Sequence, residues 1–489
     1  MLLSTRGGAP VTASGAILAG LAPDGGLYVP EHFPSFSLAA LTALCPMSYA
    51  ERADRILQAL LDDFTPEETA QAAQAAYGAR FENSRPAPLR ALGGGRYLLE
   101  LYHGPTLAFK DMALQILPHL LALSARKQGM HKEICILVAT SGDTGKAALE
   151  GFTDVPGTQV AVFYPAYGVS EMQRLQMATH RAQNVAVFAV DGNFDDTQTG
   201  VKRIFADAAL REEAASKGVF LSSANSINVG RLIPQIVYYI YAYLQLLSNG
   251  CVAPGDAIDI AVPTGNFGNI LAAWLAGKMG IPVRTLICAS NRNNILTDFF
   301  RTGVYDTRRP FYKTGSPSMD ILVSSNLERL LFYLCGEDDE ACAGLMHQLA
   351  QTGSYRLTPE LLQKAQQQFF AACADDDQTA ACIGRVWEGF GYCVDPHTAV
   401  ALCALSQRPD THFTLVASTA SPYKFSSTVL RGLGRRPSQD EFENLTLLAQ
   451  FLQEKPPEQL SSLRSLPLRF EQVYARESMP DLVRGLFKN

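Results

Sequence analysis

The stretch Ala257–Gly280, AIDIAVPTGNFGNILAAWLAGKMG, reads as one strand, one turn and one helix. Ala257–Pro263 is short, apolar and carries β-branched residues, as a strand buried on both faces does. Pro263 ends it. Gly265 and Gly268 permit tight backbone turns. A helix is predicted from about Asn269, through Ile270–Met279. The first backbone N–H groups of a helix lack intrahelical partners, and its dipole favours negative charge there. The turn Gly265–Asn269, with Asn266 and Phe267 between, is therefore expected to hold a phosphate. An ordinary strand-to-helix turn is the alternative.

The same alternation continues on either side. Ile134–Thr140, Gln159–Tyr164, Val185–Val190, Val283–Ala289 and, far along the chain, Phe413–Ala417 are further strand candidates. Helical patterns lie between several of them, at Lys146–Phe152 and Asp196–Ala214. Strands alternating with helices make βαβ units, hence a mainly parallel sheet covered on both faces. The fold class is α/β. Before this core, Tyr49–Gly78 is Ala-rich with helical spacing, and it restarts at Thr65-Pro66-Glu67-Glu68. Thr65 can cap, Pro66 fits the first turn, and both glutamates suit the positive end. After about Gly434 the chain reads as a helical, polar C-terminal appendage, Pro437–Asn489. Asp375–Asp377 reads as a solvated loop.

Two more strands run into polar turns. Ile134–Ala148, ICILVATSGDTGKAA, offers Ser141, Asp143 and Thr144 beside backbone donors. It is not a nucleotide P-loop. That motif needs Gly where Thr140 stands and Ser or Thr where Ala147 stands. The third, Thr414–Phe425, TLVASTASPYKF, ends in small hydroxyl residues. Taken singly, each also fits a structural turn.

Composition bounds the rest. Of 489 residues, 47% are hydrophobic and 18% charged, enough apolar content to build a large core. The formal charge, 41 − 47 = −6, argues against a protein that coats nucleic acid. Ten cysteines form no CxxC pair, and the eight histidines show no zinc spacing, so no metal is expected. Buried free thiols in a reducing cytosol are expected instead. The opening MLLSTRGGAP lacks the roughly 7–15-residue apolar core of a signal peptide. The longest apolar run, Ile236–Leu247, is about half a membrane span. A soluble cytoplasmic protein with no membrane partner is expected.

Lys110 stands out, in Tyr102–Gln115, YHGPTLAFKDMALQ, after Leu107-Ala108-Phe109. A lysine beside apolar residues is usually a snorkelling surface side chain. Buried, its amine would lose basicity and could form an imine. One phosphate cradle, one carboxylate cradle and one such lysine fit a pyridoxal phosphate enzyme acting on an amino acid.

At these residues the chain resembles the threonine synthase family, of pyridoxal-phosphate fold type II. The resemblance is carried by collinear segments over nearly the whole chain. They are STRGGAP (Ser4–Pro10), GLAPDGGLYVPE (Gly20–Glu31), HGPTLAFKD (His103–Asp111), TSGDTGKAA (Thr140–Ala148) and SANSINVGRLIPQ (Ser223–Gln235). PTGNFGNILA (Pro263–Ala272), PSMDILVSSNLERLLF (Pro317–Phe332), DPHTAVA (Asp395–Ala401) and STASPYKF (Ser418–Phe425) follow. The resemblance implies a two-lobed parallel-sheet core at 91–434, a helical N-terminal domain at 1–90 and a helical C-terminal tail at 435–489.

It also implies roles. Lys110 would bond covalently to pyridoxal 5'-phosphate and later act as general base. The Gly265–Asn269 backbone would bind the cofactor's phosphate, Thr419 would meet its ring nitrogen, and Asp143 would stand beside its 3-oxygen. Ser141 and Thr144 would meet the substrate carboxylate, and Asn225, Ser226 and Arg231 the substrate phosphate. Many relatives have His-Pro where this chain has Ser421-Pro422, which leaves the local geometry open. The implied reaction is that of a lyase in threonine biosynthesis, converting O-phospho-L-homoserine and water to L-threonine and phosphate. The expected partner is that small-molecule substrate, with the chain a monomer or homodimer. A related serine/threonine dehydratase and a catalytically silent threonine-synthase-like protein remain alternatives.

Overall fold

The β-branched apolar runs form strands that assemble into two large sheets, beside two short two-stranded ones among the described residues. The computed structural model describes residues 1–81, 85–408 and 412–487. In the larger sheet the order is Phe369–Cys373, Val283–Ser290, Ile258–Pro263, Thr414–Ser418, Arg96–Glu100 and Leu89–Ala91. All neighbours are parallel except the edge strand Leu89–Ala91, which is antiparallel to Arg96–Glu100. Ala261 sits in register between Ile287 and Val416, and all three are buried. That is why these strands are apolar without alternation: both faces are covered.

The smaller sheet runs Val473–Ala475, Val185–Asp191, Thr158–Pro165, Glu133–Ala139 and Val219–Ser223, all parallel. The two outermost chain segments contribute to the whole. In the N-terminal region the helices Tyr49–Leu60 and Pro66–Tyr77 each begin with a capping box, Ser48 with Glu51 and Thr65 with Glu68. The STRGGAP segment is tied down by Glu328, which accepts from Thr5 Oγ1 at 2.6 Å and from Arg6 Nε and Nη2 at 2.8 Å each. At the other end the tail is helical in large part and also carries the strand Val473–Ala475. Its Met479, Val483 and Phe487 are buried in the core of the smaller sheet.

Two local expectations change. Asp196–Ala214 is not one helix but two, Phe194–Ala206 and Ala208–Ser216. Asp207 breaks them, because its carboxylate accepts from Leu210 N and caps the second. Asp375–Asp377 is not a loop but the start of the helix Asp376–Phe390. Asp375 accepts from Gln378 N at 2.8 Å, and the Gln378 side chain accepts back from Asp375 N at 3.0 Å. The acidic run suits the positive end of that helix. The apolar run Ile236–Leu247 lies within the buried helix Val229–Ser248. Among the described residues no helix is long and apolar enough to cross a membrane.

Candidate active site

Every residue predicted for the site lines one cavity: Lys110, Ser141, Asp143, Thr144, Asn225, Ser226, Arg231, Gly265, Asn266, Phe267, Gly268, Asn269 and Thr419. They gather there because four strands end beside it. Ile258–Pro263 delivers Gly265, Glu133–Ala139 delivers Ser141, Thr414–Ser418 delivers Thr419, and Val219–Ser223 delivers Asn225. In open α/β sheets, ligands collect at these carboxyl ends.

The loop that carries Lys110 is held on three sides. Leu107 is left-handed, with φ 58°. The Asp111 carboxylate accepts from Thr106 N at 2.8 Å and Thr106 Oγ1 at 2.7 Å. Phe109 N donates to Thr419 O at 2.8 Å. A non-glycine residue in that conformation persists where its surroundings fix it, often at functional sites. Burial pushes the Lys110 amine down to about 8, against the opposing pull of Asp143. The same burial raises Asp111 to about 6.

Asp143 is a hub. Its Oδ1 accepts from Lys424 Nζ at 2.7 Å and Gln173 Nε2 at 3.0 Å. Its Oδ2 accepts from Ser318 Oγ at 3.1 Å and lies 3.6 Å from Lys110 Nζ. Burial alone would raise this carboxyl, but the Lys424 and Lys110 ammonium groups hold it well below the usual range. Arg231 is also buried, and burial pushes its guanidinium down to about 10. It donates to Ala224 O at 3.0 Å and Thr144 Oγ1 at 3.4 Å. Asn225 holds Ala139 through both amide atoms.

The glycine-rich turn differs from the expectation in one respect. Neither Gly265 nor Gly268 has positive φ; the left-handed residue is Phe267, at 64°. Gly265 is required for space instead. A Cβ there would lie 2.8 Å from Ser318 O, closer than real Cβ atoms come. A Cβ at Gly268 would meet side chains only at 3.6 Å and beyond.

Sequence reasoning gave no role to Ser318, His397, Phe194 or Gln235, which also line the cavity, nor to Lys424 beneath it. His397 accepts from Ser318 N at 3.2 Å and pairs with Asp395 at 2.7 Å, so its Nδ1 carries the proton. Ser318, His397 and Lys424 lie in three of the collinear segments, which was the available signal. Apart from Asp395 beside His397, the side chains they meet by hydrogen bond or ion pair are 79 or more residues away in the chain.

Residues 1–77 match the family model for the threonine synthase N terminus, and residues 84–413 the model for pyridoxal-phosphate dependent enzymes. A threonine synthase from Pseudomonas aeruginosa is 41% identical over 441 residues, covering 89% of this chain and 91% of that protein. The chain belongs to the threonine synthase family. Threonine synthase-like 1 from Homo sapiens is 42% identical over 431 residues; the match covers 86% of this chain but only 58% of that longer protein. The structure of a pyridoxal-phosphate-bound threonine synthase from Brucella melitensis matches at TM-score 0.87 and 36% identity, over 100% of this chain and 99% of that one.

Threonine synthases are pyridoxal phosphate enzymes, and the cavity fits that cofactor. Asn269 supplies the test. Its Oδ1 accepts from Tyr238 OH at 2.7 Å and Tyr239 OH at 2.6 Å, while its Nδ2 is buried with no hydrogen-bond partner among the described residues. The two hydroxyls fix the amide, because Tyr239 OH has no other acceptor among the described residues. A donor is thereby left at the helix start where a phosphate is expected, and a phosphate oxygen would satisfy it. Tyr239→Phe is expected to weaken pyridoxal phosphate binding about 2- to 10-fold, the worth of one hydrogen bond. Pyridoxal, which lacks the phosphate, should bind as before. Titration by absorbance with both compounds checks this. Gly265→Ala is expected to cost more, about 10-fold or greater in the same titration, because the turn or Ser318 must shift.

Proposed function

We propose that the chain converts O-phospho-L-homoserine and water to L-threonine and phosphate. The observation that carries this reading is Arg231, a buried guanidinium on the same cavity as the Lys110 amine. Its hydrogen bonds go to a carbonyl and a hydroxyl, and among the described residues no carboxylate pairs with it. A buried cation calls for an anion. The fork of a guanidinium suits two phosphate oxygens, and the cofactor's own phosphate already has the Gly265–Asn269 helix start.

When bound, pyridoxal phosphate supplies an electron sink for the charge left at the substrate's α-carbon. Lys110 Nζ would anchor it and, once freed by the substrate's own amine, hold the α-proton. Thr419 would meet the ring nitrogen, and Asp143 would stand beside the 3-oxygen. Ser141 and Thr144, at the start of the helix Asp143–Gly151, would hold the substrate carboxylate, since that end of a helix favours anions. Ser226 and Arg231, with Asn225 bracing them, would hold the phosphate as it leaves. Phe194 walls the cavity with an apolar ring and helps to exclude bulk water while one water is added at the β-carbon.

Ten free cysteines, six of them buried, fit a reducing compartment, so we place the enzyme in the cytoplasm, acting as a monomer or homodimer. The test is to incubate the purified protein with O-phospho-L-homoserine and measure phosphate and threonine, recording the absorbance spectrum of the same sample. Equal amounts of both products support the reading. Ammonia and a 2-oxo acid from serine or threonine, without phosphate release, would mean a dehydratase. A cofactor band with no product would mean a silent relative.

A further inference from the structure

Lys424 is a buried cation to which the reaction as described gives no task. It follows the strand Thr414–Ser418, in the short 3-10 turn Pro422–Phe425. That turn lies under the Lys110 loop, because Ala420 bridges to Ala108 and Ser421 N donates to Leu107 O. The Lys424 side chain is 0% exposed. Its Nζ lies 2.7 Å from Asp143 Oδ1 and donates to Thr106 O at 3.0 Å. The other oxygen of the same carboxylate faces Lys110.

We propose that Lys424 is a positioning residue for the proton chemistry of Lys110: it holds the charge of Asp143, so that the Lys110 amine can release its proton inside the cavity. This rests on Lys110 being the reactive amine. The argument is one of charge balance. Asp143 is buried and ionised between two ammonium groups. If Lys110 loses its proton, Asp143 and Lys424 remain as a neutral, hydrogen-bonded pair. Without Lys424, the same loss would leave a buried carboxylate with no counter-ion, which is strongly disfavoured. Asp143 would then keep the proton on Lys110 and block its use as a base or nucleophile. Arg231 also faces Lys110 and opposes its positive charge, and burial acts in the same direction. Near Lys424 stands Asp111, bound to Thr106, and beyond Ser318 stands His397, bound to Asp395. None of these contacts Asp143 directly, so Lys424 is the group that balances it.

The experiment follows the rate at which added pyridoxal phosphate attaches to full-length protein stripped of cofactor, as a function of pH. That rate reports the neutral Lys110 amine and not turnover. In the unaltered protein it should rise with a midpoint near pH 8. In Lys424→Met the midpoint should move up by about one unit or more, making attachment about 10-fold slower at pH 7. Lys424→Arg should keep the original midpoint. Asp143→Asn should lower it, and Asp143→Asn with Lys424→Met should bring it back. A purely structural tie would leave the Lys424→Met midpoint at the original value and the double variant level with Asp143→Asn, and that result overturns the proposal. If Lys424→Met does not fold, Asp143→Asn against the double variant carries the same test, and a midpoint no lower in the single variant is the overturning result. Attachment that persists in Lys110→Ala would instead remove the reading of Lys110, and this role with it.

Discussion

Lys110→Ala should lower threonine formation by about 10⁴-fold or more, the upper end of what one positioned acid–base group contributes, because on the proposed reading it would also remove the cofactor's covalent anchor. The loss should not be one of folding. Lys110 is held through its backbone loop, by Leu107, Asp111 and Thr419, and an alanine leaves those contacts in place. Removing the ammonium also leaves Asp143 with Lys424, a balanced pair. The checks are turnover, thermal stability and the visible absorbance of one preparation. The variant should be folded, inactive and without the long-wavelength band of lysine-bound cofactor. A surviving band would move the attachment to another amine. Lys424 would be the first to examine, although its Nζ is already held by Asp143 and Thr106 O.

Arg231→Ala should lower kcat/KM for O-phospho-L-homoserine by about 10- to 150-fold. Charge-assisted hydrogen bonds of this kind contribute about 1.5–3 kcal/mol. Two features of the structure make the loss selective. Arg231 hydrogen-bonds Thr144, proposed above to meet the substrate carboxylate, and Gly265–Asn269, on the same cavity, would supply the donors for the cofactor's phosphate. Among the described residues the guanidinium has no carboxylate to leave stranded, so its removal should cost little stability. The cofactor spectrum should barely change. Full activity in the variant would discard the role. Loss of bound cofactor would mean that this arginine serves the other phosphate.

Much of the fold was legible because it depends on short-range pattern. The apolar runs at Ile134–Thr140, Ala257–Pro263 and Val283–Ala289 gave strands within a residue or so of their ends. The signal is strong because a parallel strand buried on both faces has no reason to alternate. Thr65 with Glu68 marked a helix start by chemistry contained in four residues. Where local chemistry competes, reading by period failed. Asp207 interrupts a continuous helical pattern, and Asp375 begins a helix in what looked like solvent.

The sequence by itself determined the α/β class, the three polar turns after strands and, through the collinear segments, which residues gather on one cavity. Lys110, the glycine-rich turn and Arg231 could be named because each belongs to a contiguous motif. Only the tertiary structure decided how their charges balance. Lys424 and Asp143 are far apart in the chain, and neither motif mentions the other. The same holds for Asn269 and the two tyrosines that aim its amide, and for Gly265 and the Ser318 carbonyl that leaves it no room. The reason is physical. Strand and helix preferences come from backbone sterics and nearest neighbours, which a linear sequence displays. A shifted pKa or an orphaned donor comes from burial and from groups brought within about 4 Å by folding, and those depend on every strand order and loop between them.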